Sequence, residues 1–143
     1  MSTYEILNQS VADLSQMSAL IHQTHWYMRG RGFLTLHPKM DSLRDGIEEM
    51  LDVVAERLIT LGGAPYSTLT EFATASKIML EPTNYELDMT TRLTTLLVAY
   101  KYLQTSFNAA ISALESDPVT QDIYIGNLGA IDKIVWMLSA ELD

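Results

Sequence analysis

No cysteine occurs among the 143 residues, which excludes disulfide frameworks, thiolate zinc sites and cysteine nucleophiles. That absence suits a reducing compartment. Basic side chains are also scarce. Nine Lys and Arg stand against 18 Asp and Glu, a formal net charge of −9, and the first basic residue is Arg29. Electrostatics therefore disfavours a nucleic-acid partner. No apolar run approaches the roughly 18 residues that a membrane span needs. The opening MSTYEILNQS has neither a basic n-region nor an apolar h-region, so no signal peptide is expected. The cytoplasm is the most economical compartment. Proline is limited to Pro38, Pro65, Pro82 and Pro118, all between periodic segments or at their starts.

What is present is a periodic, half-apolar chain. Hydrophobic residues make up 48% of it, which argues against disorder and for a real core. The length suits a single domain over 1–143. Apolar residues recur at three and four. The first segment reads Tyr4, Leu7, Val11, Leu14, then Ser18, Ile21, His25, Met28, and Gly30 and Gly32 end it. The second, from about Pro38 to Leu61, reads Met40, Leu43, Ile47, Met50, Val54, Leu58, and Gly62 and Gly63 end it. A third runs from Met89 to Leu114 and a fourth from Pro118 to Leu142. Four long amphipathic helices follow.

Cap chemistry marks their ends. Asp117 before Pro118 is a candidate N-cap, and His37 before Pro38 has a cap-like place. Thr83-x-x-Glu86 has the capping-box pattern for the third long helix, and Thr68-x-x-Glu71 for a short helix at about 70–77. Two long helices, a long connection carrying a small helix, then two long helices is an all-α, ferritin-like four-helix bundle.

The second helix carries an unusual face. Asp41, Asp45, Glu48, Asp52 and Glu56 are spaced 4, 3, 4 and 4, within an arc of roughly 80°. Like charges one turn apart repel, so the stripe implies abundant water, as on a solvated helix face, or a cation. His37 heads the stripe. His25 takes an apolar-stripe position where Leu or Ile would be expected, and it also fits a hydrogen-bonded core histidine. His22, one turn before it, reads as structural or exposed. Two imidazoles and three carboxylates form an oxygen and nitrogen donor set that suits Fe(II), Mn(II) or Zn(II).

Helix geometry restricts how that set can meet. Asp41 and Asp52 are 11 residues apart, about 16 Å along one helix, so they cannot hold one ion from one chain. Antiparallel packing of two copies of this helix, with the axis near Ile47, brings Asp41 of one chain beside residues 52–56 of the other. Each dimer then holds two identical sites built from both chains. An intrachain di-iron bundle is disfavoured because no Glu-x-x-His occurs.

The segment His25-Trp26-Tyr27-Met28-Arg29-Gly30, then Leu36-His37-x-x-x-Asp41, then Asp52-x-x-Ala55-Glu56-Arg57-x-x-x-Leu61-Gly62-Gly63, resembles the Dps family of mini-ferritins. Asp132-Lys133-x-x-Trp136-Met137-Leu138 resembles that family's closing helix. The resemblance covers nearly the whole chain. It implies a hollow homododecamer with ferroxidase sites at two-fold interfaces. Ligands would be His25, His37 and Asp41 from one subunit and Asp52 and Glu56 from its partner. It further implies iron, as Fe(II) and Fe(III), as the metal, hydrogen peroxide as preferred oxidant, and ferric mineral stored inside. Zinc or manganese would compete. Asp45, Glu48 and Glu49 are candidates for the nucleating inner surface. Trp26 is a candidate electron donor or a packing aromatic. Asp122 is a candidate for a three-fold pore, and Asp117 for that pore or for a cap alone.

Many Dps proteins bind DNA through a lysine-rich tail, and this sequence shows none at either end. DNA binding is thus not expected. Three readings compete: a ferroxidase and iron store that limits oxidative damage, a DNA-protecting nucleoid protein, and an inert helical assembly with a solvated acidic face.

Overall fold

The computed structural model describes all 143 residues as five helices without a strand. Helix α1 spans Thr3–Tyr27, α2 Phe33–Thr60, α3 Leu69–Ala75, α4 Met89–Ala113 and α5 Pro118–Leu142. The expected ferritin-like bundle with a short helix in the long connection is what the chain forms. Helix α1 packs on α2 and α4 on α5; α1 also meets α3 and α4, and α2 meets α5. No helix is long and apolar enough to cross a membrane.

The three-and-four spacing becomes one core of 27 buried apolar residues. From α2 come Met40, Leu43, Ile47, Met50, Val54 and Leu58, the stripe read from sequence. Burying one such side chain contributes about 1.5–3 kcal/mol. At the centre the rings of Phe107 and Tyr124 meet edge to face at 4.9 Å, and the Tyr124 hydroxyl lies 2.7 Å from Ser10 Oγ. A second polar anchor is Asp13, fully buried on α1. Its carboxylate accepts from Gln9 Nε2 (3.2 Å), Ser76 Oγ (2.8 Å), the Lys77 amide (2.8 Å) and the Tyr102 hydroxyl (2.6 Å). These bonds tie the segment leaving α3 to α1 and α4.

Most caps follow the sequence. Thr68 and Glu71 form a full capping box on α3, which ends two residues before the expected 77. Asp117 accepts from the Thr120 amide ahead of Pro118. Two expectations fail. Helix α2 begins at Phe33 rather than Pro38, so His37 is helical and caps nothing. Pro38 lacks an N–H and would ordinarily stop a helix. Here it falls near the start, where it deprives only the Leu34 carbonyl of a helical donor. Gly32, at φ +91°, supplies the turn into α2 without a side-chain cap. Thr83-x-x-Glu86 is not a capping box either. Asp88 caps α4 by accepting from the Thr91 amide at 2.8 Å, while Asn84 Oδ1 accepts from the Glu86 amide.

Candidate metal centre

A five-residue turn joins α1 to α2 and places the end of one beside the start of the other. His25 and His37 meet there, rings parallel within 11° and centroids 3.8 Å apart. Nδ1 of His25 lies 2.8 Å from the His37 carbonyl oxygen, and Nδ1 of His37 lies 3.0 Å from that of His25. A carbonyl oxygen only accepts, so each Nδ1 carries the hydrogen and donates. In the neutral form of each ring the lone pair is then on Nε2, the atom free to bind a cation. Such fixing of tautomer and ring plane is the usual support of a metal-binding imidazole.

Asp41 lies one turn after His37. Its Oδ1 is 3.8 Å from His25 Nε2, and its carboxylate is 68% exposed while the His25 side chain is 14% exposed. That spacing is too long for a hydrogen bond. An ion about 2.1 Å from each atom would bridge it. Phe33 stacks on the far side of His37 at 4.7 Å. Sequence reading missed Phe33 because it placed the helix start five residues late; with α2 starting at Phe33, its place four residues before His37 becomes a same-face signal.

The other two predicted ligands lie elsewhere. Asp52 and Glu56 are exposed on α2, about three and four turns beyond Asp41. Within one chain no three His, Asp or Glu side chains converge into an ion-sized cluster. Apolar side chains flank the two distant acids: Val53 and Ile59 are 42% and 57% exposed. A merely solvated acidic face does not call for them.

The remaining candidates divide. Asp45 and Glu49 are exposed, whereas Glu48 is half-buried and accepts from Ser18 Oγ at 2.5 Å. Trp26 is largely exposed and stacks on His22 at 4.6 Å. Burial, then the positive Arg44, lowers the His22 pKa below its ordinary value. The Asp117 carboxylate bonds the Thr120 hydroxyl and amide and sits 3.5 Å from Arg57. Those Thr120 bonds, more than the guanidinium, lower its pKa. Asp117 is thus engaged as a cap, and Asp122 is exposed.

The helical arrangement is that of a ferritin-like protein, and the ferritin-like domain matches residues 4–143. The DNA protection during starvation protein of Streptococcus suis is 45% identical over 139 residues, covering 96% of this chain and 81% of that protein. Its counterpart in Listeria innocua is 40% identical over 142 residues, covering 98% and 91%. The X-ray structure of Dps from Listeria monocytogenes has a TM-score of 0.97 at 40% identity, covering 99% of this chain and 94% of its own. This chain belongs to the Dps family of mini-ferritins.

Proposed function

We propose that this protein is a ferroxidase and iron store. It oxidises Fe(II), preferably with hydrogen peroxide, and keeps the ferric product as mineral inside a homododecamer, limiting oxidative damage in the cytoplasm. The observation that carries this reading is the reciprocal His25–His37 lock, which leaves both Nε2 atoms as acceptors beside the exposed Asp41 carboxylate.

Asp52 and Glu56 complete the centre from a partner subunit, across a two-fold axis near Ile47. The Ile47 side chain points into its own bundle, so it marks the level of the axis rather than the contact. Its neighbour Gly46 has open space where a Cβ would stand, so a facing helix meets only backbone there. Exposed Leu34, Val53, Ile59 and Trp136 supply apolar surface for assembly.

Iron is the substrate. Carboxylates favour Fe(III) over Fe(II), so binding lowers the cost of oxidation. Two Fe(II) ions each give one electron to one peroxide. Its O–O bond breaks, and two protons complete two waters, so no hydroxyl radical leaves the site. Asp45 and Glu49 offer oxygen ligands for the first ferric product. Asp122, with Asp117 at the same helix start, would draw Fe(II) toward a pore. Trp26, next to His25, stands where it can donate an electron to a stray oxidant.

Zinc and manganese are expected competitors. Listeria innocua Dps, similar in structure to this chain, has been soaked with zinc and with cobalt. The relatives' name raises a second reading, direct protection of DNA by binding it. A charge of −9 per chain disfavours that. Stopped-flow oxidation of Fe(II) by peroxide, followed by counting iron per assembled particle, tests the proposal. Saturable oxidation and a retained ferric core support it. Oxidation no faster than in buffer refutes it.

A further inference from the structure

Arg92 on α4 is only 4% exposed, yet no carboxylate pairs with it and its Nε has no hydrogen-bond partner. A buried guanidinium without a counter-ion needs another source of stabilisation. The remaining nitrogens donate to Thr83 Oγ1 (3.4 Å) and the Asn84 carbonyl, in the connection before α4. The guanidinium also lies 5.7 Å from the centroid of the Tyr27 ring, within cation–π range. Tyr27 in turn meets Tyr85 at 5.0 Å, tilted by 41°. Arg29 closes the series, its guanidinium carbon 3.6 Å from the Tyr85 centroid. The order is Arg92, Tyr27, Tyr85, Arg29, with cations outside and rings inside.

This stack grips α1 at the place where the helix must stop. Tyr27 is its last residue, and Met28 turns extended at φ −63°, ψ 143°. The last helical bond runs from the Met28 amide to the Thr24 carbonyl. The His25 carbonyl is therefore one of the orphans that every helix end leaves, and His37 Nδ1 takes it. One more residue of helix would bring the Arg29 amide onto that oxygen and displace His37. Arg29 instead lies over Tyr85, beyond the end of the helix.

We propose that the Arg29–Tyr85–Tyr27–Arg92 stack sets where α1 ends, and thereby holds the His25–His37 imidazole pair in its metal-ready tautomers. Tyr85, from the connection between α3 and α4, is then a positioning residue of the centre. The proposal rests on the reading of that centre as an ion site. It links the long connection to ion affinity, although no residue of the stack touches the ion.

Cobalt(II) is the probe, titrated into the assembled protein and followed by its visible bands, beside hydrogen exchange of the amides from His25 to Gly32. Tyr85→Ala is expected to weaken Co(II) binding about tenfold, the lower end of the loss when an outer partner of a metal ligand is removed. Exchange of those amides should quicken. Tyr85→Phe keeps the ring and should restore both values. Equal Co(II) affinity, bands and exchange in Tyr85→Ala and the parent protein overturn the proposal. Should Tyr85→Ala not assemble, Arg29→Ala, which changes only an exposed side chain, takes its place: weaker Co(II) binding with faster exchange supports the stack, and no change in either overturns it. A parent protein without saturable Co(II) binding sinks the reading of the centre instead. In that case the stack is still judged by exchange alone, and unchanged exchange in the variant overturns it.

Discussion

His37 Nδ1 bonds the main-chain oxygen of His25, and His25 Nδ1 bonds that of His37. Each ring is thus oriented by the other residue's backbone, not by its side chain. Replacing His37 with Ala removes one proposed ligand but leaves the carbonyl that holds His25. Glu56→Gln removes a carboxylate that nothing replaces. We expect Glu56→Gln to slow peroxide-driven Fe(II) oxidation by about 100-fold, the upper range for disturbing a metal site, and His37→Ala by clearly less. Initial rates by stopped flow decide it, and equal losses would reject the ranking.

The acid limit of the fold should lie in its helix caps. Thr and Ser partners at their carboxylates hold Glu71, Asp88 and Asp117 below their ordinary values of 4.5, 3.8 and 3.8. A depressed folded pKa gives stability that is complete above the unfolded value and vanishes as pH falls through the folded one. The melting temperature should therefore hold level down to about pH 4.5 and drop below it. Asp88→Ala should lower the plateau and flatten that drop. A melting curve equally steep in parent and variant would contradict it.

Asp13 accepts four hydrogen bonds and forms no ion pair. Asp13→Ala leaves those donors without their acceptor in the interior. Each buried orphan costs about 1–3 kcal/mol, so the variant should lose about 3 kcal/mol or more. Denaturant unfolding at fixed protein concentration measures this. A loss under about 1 kcal/mol would show that water or rearrangement satisfies the donors.

The net charge of −9 per chain is repeated in every subunit of an assembly. Plasmid DNA should migrate unshifted beside the protein at about 0.15 M salt. A retarded band at that salt would revive the DNA-binding reading.

Much of this was legible in the residues themselves. The Met40-to-Leu58 stripe gave the α2 core because burial follows the helical repeat. Thr68, Glu71 and Asp117 gave their caps because those bonds are local. The start of α2 was not legible, since Pro38 signals a boundary and only the α1–α2 turn, with Gly32 at positive φ, moves it to Phe33. Thr83 and Glu86 misled for a related reason. Arg92, nine residues on, donates to Thr83 and Asn84 and draws that stretch into the tertiary structure. At the centre, composition and spacing marked His25, His37 and Asp41, and the structure brings them to one end of the bundle. The exchange of backbone carbonyls between the imidazoles has no sequence signal, because it depends on where α1 stops.

A complementation experiment decides whether the centre is shared between subunits. One variant carries His25→Ala with Asp41→Asn, the other Asp52→Asn with Glu56→Gln, and each alone should be inactive. Subunits of both are mixed, unfolded and reassembled together. If every centre takes its imidazoles from one subunit and its distant carboxylates from another, random mixing restores about a quarter of the sites, by two-fold symmetry. Recovery of that order is the predicted result. Mixed particles as inactive as either parent would contradict a shared centre.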